Sequence, residues 1–295
     1  MNAPIAMPGA RPIAQPIGLE AVREKGWWRA HRFLILRRVS QFGILGLFLI
    51  GPVAGVWLVK GNLTSSVTLG VLPLTDPFVL AQVVATGHLP ELSAWLGVLW
   101  VTVFYSLAGG RVFCSWVCPV NAVTDSASWL RRKFRINTGR TPASLRYWLI
   151  PTILVASAIT GVTVWEWVNP VTLTHRALIF GSYLALASTM AVFLFDLVVA
   201  PRGWCGHLCP VGATYALLGR KSLVRVSAHA SGRCNDCAQC YAVCPEPQVI
   251  PSALKGKDNA SPVIVDMNCT NCGRCIDVCA PSVFQYTHRF DNKRV

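Results

Sequence analysis

The sequence predicts a membrane α-helical protein with four transmembrane helices, arranged as two helix-hairpin repeats. A small C-terminal α+β ferredoxin domain of the bacterial two-[4Fe-4S] type follows them. Three observations predict this architecture. Of its 295 residues, 53% are hydrophobic and only 14% are charged, whereas an ordinary soluble domain has about a quarter charged residues. Four charge-free apolar runs precede residue 200, and two cysteine motifs of ferredoxin spacing follow it.

The chain begins with a basic segment, residues 1–38, which carries seven Lys and Arg side chains. A cleavable signal peptide would have a shorter charged start and a small-residue cleavage site after its apolar run. We therefore expect residues 1–38 to be a cytoplasmic segment that flanks the first membrane helix. A four-helix membrane domain is expected over residues 39–226, and the ferredoxin domain over residues 227–295.

Each of the four apolar runs is long enough to cross a bilayer, since a spanning helix needs about 17 to 25 residues. Tryptophans lie close to the ends of the runs, as is typical of the aromatic belts at membrane interfaces. The runs occupy residues 39–59, 92–110, 147–165 and 177–195.

The distribution of positive charge predicts the orientation of these helices. Of the 27 Lys and Arg residues, only Lys60 and Arg176 lie in the loops after the first and third runs. The other 25 lie in the remaining segments, so the positive-inside rule places both termini in the cytoplasm. The net charge of +14 is then mainly a topology signal, and nucleic-acid binding is not expected.

The segment between the first two runs, residues 61–90, is apolar but interrupted by Pro73, Asp76 and Pro77. A charge beside two prolines argues against a further membrane span. We expect this segment to lie outside, partly dipped into the interface.

The second and fourth runs are each followed by the pattern Arg-x-aromatic-Cys-x3-Cys-Pro-Val, at residues 111–120 and 202–211. Cysteines four residues apart share one face of a helical turn. Helices that run parallel would bring both pairs to the same membrane depth. The repeat predicts one site, which would bind a metal or an iron-sulfur species or exchange between thiol and disulfide; small apolar residues in packed turns are the alternative. The four residues are Cys114, Cys118, Cys205 and Cys209.

Two motifs of spacing Cys-x2-Cys-x2-Cys-x3-Cys lie near the C-terminal end. In bacterial ferredoxins, three closely spaced cysteines bind one [4Fe-4S] cluster and the fourth, before a proline, binds the other. Disulfide frameworks are typical of small secreted domains, and four-cysteine zinc sites have paired Cys-x2-Cys knuckles. The spacing predicts cluster 1 on Cys234, Cys237, Cys240 and Cys279, and cluster 2 on Cys269, Cys272, Cys275 and Cys244. The second motif differs in one respect, because Ala280 separates its last cysteine from Pro281.

Taken together, these motifs resemble the NapH-type quinol dehydrogenase membrane subunit of periplasmic nitrate reductase systems. The resemblance extends from about residue 30 to the end of the chain. It implies a multi-pass protein of the bacterial inner membrane with two cytoplasmic [4Fe-4S] clusters, quinol as the electron donor and a periplasmic ferredoxin-type, NapG-like partner. It rests on residues 113–121, 146–148, 165–170, 203–210 and 244–247.

Three alternatives stay open at the level of sequence. The same electron transfer could serve another periplasmic redox system, such as those for nitrous oxide or methylamine. The chain could instead be a metal-handling factor similar to oxidase-assembly proteins, which carry similar Cys-x3-Cys-Pro motifs, or a redox-sensing regulator without net electron flow. We expect an electron-transfer subunit without a stand-alone reaction, and the sequence predicts no catalytic residue.

Overall fold

The computed structural model describes residues 16–134, 136, 144–256, 261–291 and 293. The first eight helices are α1 (Leu19–Lys25), α2 (Trp27–Ala54), α3 (Pro77–Ala85), α4 (Leu92–Ala108), α5 (Val120–Phe134), α6 (Leu145–Thr160), α7 (Val164–Val168) and α8 (Pro170–Phe180). The next five are α9 (Tyr183–Leu194), α10 (Pro210–Leu218), α11 (Gln239–Val243), α12 (Pro251–Leu254) and α13 (Arg274–Val278). The strands are β1 (Val59–Gly61), β2 (Ser65–Thr68), β3 (Leu72–Thr75), β4 (Val224–Ser227) and β5 (Gln285–His288).

Each predicted apolar run contains a helix, namely α2, α4, α6 or α9. Within the described ranges, only α2, with 28 residues, is long and apolar enough to cross a membrane by itself. Helices α4 and α6 have 17 and 16 residues. Both end at a glycine with positive φ, Gly109 and Gly161, a conformation that commonly terminates helices. The four-span topology therefore stays a prediction.

The segment predicted to lie outside contains a sheet and a short helix. Strands β1, β2 and β3 form an antiparallel sheet in that order, and the nine-residue α3 follows. The buried Asp76 carboxylate caps α3 by accepting the N–H of Phe78 at 2.8 Å. An Asx cap followed by proline is a favourable helix start, and Asn169 with Pro170 starts α8 in the same way.

The internal repeat predicted from sequence has a common backbone form. Helix α4 is followed by a π-helical turn at Phe113–Val117, and α9 by two such turns, the second at Trp204–Leu208. We call Phe113–Val117 and Trp204–Leu208 the first and second cysteine turns. The N–H of Cys118 donates to the Phe113 carbonyl at 3.0 Å, and that of Cys209 to the Trp204 carbonyl at 2.9 Å. Short π-helical segments are rare and occur frequently at functional sites.

The C-terminal part of the chain forms a small α+β unit. Strands β4 and β5 pair antiparallel, with Val224 opposite His288 and Ser227 opposite Gln285. Its core includes Ile250, Ile264 and Phe284, all buried. Because β4 belongs to this sheet, the unit begins at Val224, three residues before the expected boundary.

The N-terminal basic segment is more than a flank of the first apolar run. Helix α2 begins at Trp27, so the boundary expected at residue 38 lies inside a continuous helix. The backbone N–H groups of Phe33 and Leu34 donate to the Asp277 carboxylate of α13 at 3.2 and 2.9 Å. The Lys25 ammonium donates to the Ile276 carbonyl at 2.8 Å. The start of α2 therefore packs against the ferredoxin unit.

One carboxylate on α5 joins several parts of the fold. Asp125 faces four arginines that come from α2, from the segment before the second cysteine turn and from α13. Burial alone would raise its pKa, but Arg274, Arg202 and the α2 arginines hold the pKa of Asp125 well below its ordinary value. The closest nitrogen–oxygen distances are 2.6 Å to Arg38, 2.7 Å to Arg274, 3.5 Å to Arg37 and 3.6 Å to Arg202.

Asp125→Asn should destabilise the fold strongly, because it leaves buried guanidinium groups without their carboxylate. Removing one partner of a buried ion pair costs about 3–5 kcal/mol. Thermal unfolding of the purified protein in detergent should show a much lower midpoint for D125N. Glu24→Gln is the matched control, since Glu24 is exposed. Equal midpoints for both variants would contradict the role assigned to Asp125.

Candidate functional site

The structure arranges the twelve cysteines, none of which forms a disulfide, in three groups of four. The first group lines one cavity of the ferredoxin unit. It has the same members as the predicted cluster 1 set, including the distant fourth cysteine that follows α13. We call this group the cluster 1 site; it consists of Cys234, Cys237, Cys240 and Cys279.

A second cavity is lined by the predicted cluster 2 set. Three members lie on or beside the loop before α13, and the fourth follows α11, so the chain exchanges one cysteine between the two cavities. We call this group the cluster 2 site; it consists of Cys244, Cys269, Cys272 and Cys275.

The two cysteine loops have the same backbone conformation. Asp236 and Ala238 of the first loop have φ of 55° and 56°, and Asn271 and Gly273 of the second have 45° and 71°. Asp and Asn tolerate this left-handed region better than most residues because their short side chains can hydrogen-bond locally. Their side-chain oxygens accept from the thiols of Cys234 and Cys269.

The third group consists of Cys114, Cys118, Cys205 and Cys209, on or directly after the two cysteine turns. Cys205 lies within electrostatic range of the other three thiols, and Cys114 within that of Cys118 and Cys209. The structure therefore brings both Cys-x3-Cys pairs together, as the repeat predicted. We call this group the four-cysteine site.

The four-cysteine site is shielded by aromatic side chains. Phe113 stacks on Tyr215 with ring centroids 4.8 Å apart, and Trp204 stacks on Trp165 at 6.2 Å. Across the described part of the chain, no three His, Cys, Asp or Glu side chains converge tightly enough to hold a single metal ion. In a [4Fe-4S] cluster, each thiolate binds a different iron, so its four ligands need not meet at one point.

Two buried arginines link the four-cysteine site to the cluster 2 site. Arg111 and Arg146 both pair with Glu246, which lies two residues after Cys244; the Arg146–Glu246 distance is 2.6 Å. Burial alone would raise the pKa of Glu246, but Arg111 and Arg146 hold it below its ordinary value. Arg111 opens the repeated pattern, and Arg146 and Glu246 lie in the motifs of the family resemblance, but no role in the site was predicted for them.

Arg111 reaches backbone carbonyls on both sides of the junction, and Arg146 reaches one on the side of the second cysteine turn. Arg111 donates to the Cys205 carbonyl at 3.1 Å and to the Asn268 carbonyl at 3.0 Å. Arg146 donates to the Gly206 carbonyl at 2.7 Å. Because Asn268 precedes Cys269, these bonds fix the second cysteine turn against the cluster 2 loop.

The first cysteine turn contacts the same loop directly. The Ser115 hydroxyl donates to the Thr270 carbonyl at 2.7 Å, and the Trp116 indole to the Asn271 carbonyl at 3.0 Å. The Asn271 side chain in turn donates to the Val224 carbonyl of β4 at 2.8 Å. The motif residues between Cys114 and Cys118 therefore form part of the interface with the ferredoxin unit.

Two protein families match the chain. A 4Fe-4S binding domain family matches residues 88–137 and again residues 182–228, and a 4Fe-4S dicluster domain family matches residues 233–283. The two matches of the first family coincide with the internal repeat, since each contains one Cys-x3-Cys pair. The match of the second contains all eight cysteines of the cluster 1 and cluster 2 sites.

Several curated proteins are similar over most of their length. The ferredoxin-type protein NapH of Escherichia coli (strain K12) is 50% identical over 277 residues, which is 93% of this chain and 96% of the relative. NapH of Haemophilus influenzae is 47% identical, with the same coverage. The methylamine utilization ferredoxin-type protein MauN of Methylorubrum extorquens is 49% identical over 92% of this chain and 94% of its own. No solved structure matches.

Gly273→Ala should disturb the cluster 2 loop where it meets α2. Gly273 has φ of +71°, and an added Cβ would lie 2.5 Å from Cγ of Phe33. A left-handed conformation costs a non-glycine residue about 1–2 kcal/mol, and the Phe33 ring must also move. We expect a lower thermal unfolding midpoint for the purified G273A protein.

Gly232→Ala is the matched control, in the segment just before the first cysteine motif. Gly232 has no positive φ, and no heavy atom lies within 4 Å of the added Cβ. G232A should unfold at the temperature of the unchanged protein. A G273A midpoint equal to that of G232A would show that the contact with Phe33 is not tight.

Proposed function

The chain belongs to the NapH family of ferredoxin-type proteins, and from this membership we propose that it oxidises quinol in a membrane and passes the electrons towards a periplasmic reductase. It is an iron-sulfur protein of electron transport. The observation that carries the proposal is the link of the four-cysteine site to the cluster 2 site through buried polar bonds. The cluster 2 site in turn exchanges one cysteine with the cluster 1 site. The partner on the acceptor side would be a periplasmic ferredoxin-type, NapG-like subunit of a nitrate reductase system.

The cluster 1 and cluster 2 sites would each hold one [4Fe-4S] cluster through their four thiolates. The donor sets fit, since both are thiol-only, both line a cavity and both follow the crossed ligand pattern of bacterial ferredoxins. Clusters bound there would supply carriers of single electrons. The chain itself contributes the left-handed loop residues that turn the thiols inward and the polar groups that fix the loops.

We propose four membrane spans with both termini in the cytoplasm. Helix α2 is long and apolar enough to cross a membrane. Large apolar side chains on α4 are about half exposed, including Leu99, Trp100 and Phe104, and such a surface is unfavourable in water. The placement of 25 of the 27 Lys and Arg residues on one side supports this orientation.

The four-cysteine site would hold a third iron-sulfur cluster. Two observations favour a cluster over a thiol–disulfide pair or a single metal ion. Both Cys-x3-Cys pairs lie within matches to a 4Fe-4S binding domain family. The four thiols lie within electrostatic range of one another, beside stacked aromatic rings. The bonds of Arg111 to both sides of the junction make this site the neighbour of the cluster 2 site.

A second candidate function has the same electron-transfer chemistry but a different electron acceptor. MauN is a methylamine utilization protein, and its 49% identity is close to that of the NapH relatives. Electron transfer in methylamine utilization is therefore the main alternative to the nitrate system. Purified candidate partners from each system would discriminate, because only the correct one should exchange electrons with the reduced chain.

Quinol should reduce the bound clusters of the protein purified anaerobically in detergent. The expected result is loss of the visible absorption of oxidised clusters on adding a quinol, with electron paramagnetic resonance (EPR) signals of reduced clusters. Dithionite reduction gives the full amplitude and shows that the clusters are present.

Full cluster occupancy without reduction by ubiquinol or menaquinol would overturn the quinol dehydrogenase proposal. Copper binding in place of quinol oxidation would instead favour the metal-handling alternative. A purified chain free of iron and sulfide, or a reporter that places the C-terminus outside the membrane, would contradict the cluster and topology proposals.

Replacing Cys114 and Cys205 together by serine should remove the third cluster and leave the other two. Iron per chain should fall by about one third, since three cubane clusters would become two. Replacing Ser126 and Ser188 by alanine is the control, because these hydroxyls bond only to carbonyls of their own helices. Unchanged iron, sulfide and spectra in the double cysteine variant would rule out a cluster at the four-cysteine site.

A further inference from the structure

The cluster 2 site is surrounded by buried arginines that the proposed ligand pattern does not explain. Five guanidinium groups, which we call the arginine shell, face its four thiols or the residues next to them. Their side chains are at most 10% exposed. The members are Arg37, Arg111, Arg202, Arg225 and Arg274.

Each thiol loop of the cluster 2 site is approached by members of the shell. Arg274 lines the same cavity as Cys272, and both Arg274 and Arg37 lie within electrostatic range of the Cys272 thiol. Arg202 lies within electrostatic range of the Cys244 thiol and donates to the Val243 carbonyl at 2.8 Å.

Cys269 is approached from two sides. Arg225 and Arg111 both lie within electrostatic range of this thiol. Arg225 donates to the Asp266 carbonyl at 3.0 Å, and Arg111 to the Asn268 carbonyl at 3.0 Å. The shell therefore contacts the backbone on the N-terminal side of the cysteine as well as lying near its sulfur.

Nearby carboxylates balance only part of this charge. Asp125 pairs with three members of the shell, Arg37, Arg202 and Arg274, and also with Arg38 outside it. Glu246 pairs with Arg111 of the shell and also with Arg146 outside it. Asp266 attracts Arg225 at longer range. Asp277 attracts Arg37 and Asp196 attracts Arg202, also at longer range. Seven arginines thus face five carboxylates within the described residues.

The surroundings of the cluster 1 site are closer to neutral. Asp236 lies beside Cys234 and pairs with Lys255 at 2.8 Å, and both side chains are about 40% exposed or more. Lys25 acts on Cys279 but lies near Asp277 as well. Solvent screens these exposed charges far more than the buried shell.

We propose that the arginine shell gives the cluster 2 site a higher reduction potential than the cluster 1 site, so that an electron arriving from the membrane domain rests at the cluster 2 site. Reduction of the cluster 2 site by one electron increases its negative charge by one. Net charge and hydrogen bonding set the potentials of [4Fe-4S] clusters. Buried cations stabilise the added charge because the surrounding dielectric constant is low.

The inference rests on the proposed function and adds to it the order of the reduction potentials of the two sites. Arg111 bonds to both the Cys205 carbonyl and the Asn268 carbonyl, so the cluster 2 site directly adjoins the four-cysteine site. Arg225 is the cleanest residue for a test, because it donates only to backbone carbonyls and leaves the Asp125 and Glu246 pairs intact.

The test is a redox titration of the anaerobically purified full-length protein, poised with dithionite and mediators and followed by EPR. Cys237→Ser identifies the signal of the cluster 1 site. In the unchanged protein, the cluster 2 site should have the higher potential. Arg225→Gln should lower the reduced-to-oxidised ratio of that site about tenfold at a fixed potential, which corresponds to 59 mV for one electron.

Arg233→Gln is the matched control, since Arg233 is exposed and precedes Cys234; it should change neither potential. Arg225→Lys, which keeps the charge, should restore most of the shift and guards against loss of fold in R225Q. A cluster 1 site with the higher potential, or a cluster 2 potential unchanged in folded R225Q, would overturn the inference. Because dithionite replaces quinol, failure of quinol reduction would leave this test valid.

Discussion

The pairing of buried charge is the constraint on which the rest of the structure depends. Asp125 holds arginines from α2, the second repeat and the ferredoxin unit, and Glu246 holds one arginine from each repeat. Isolated charges of this kind would be too costly to bury, so each segment needs the others in place. The two carboxylates thereby turn an apolar helical domain and a small iron-sulfur unit into one body with fixed distances between their cysteines.

The sequence predicts the cysteine groups far better than the contacts between them. Ligand spacing is a local property, so the crossed sets of Cys244 and Cys279 follow from the motif. The Cys-x3-Cys repeat likewise predicts that Cys114 and Cys205 meet. Glu246 and Arg146 carry no such signal, because their burial arises only when α6 packs beside the second cysteine turn.

Helix positions were predictable and helix limits were not. Apolar runs mark α2, α4, α6 and α9, but glycines with positive φ end α4 and α6 early. At residue 38, where the charge pattern predicts a boundary, α2 continues without interruption from Trp27. A charged helix end is stable there because Asp277 and the ferredoxin unit cover it.

The contact between α2 and α13 also has a consequence for how the protein is made. Phe33 and Asp277 are separated by 244 positions along the chain, so the start of α2 leaves the ribosome long before the helix that it packs against. The two helices can dock only after Asp277 has been synthesised. Until then, the backbone N–H groups of Phe33 and Leu34 lack the Asp277 carboxylate to which they donate in the folded protein. The start of α2 must therefore stay accessible during synthesis.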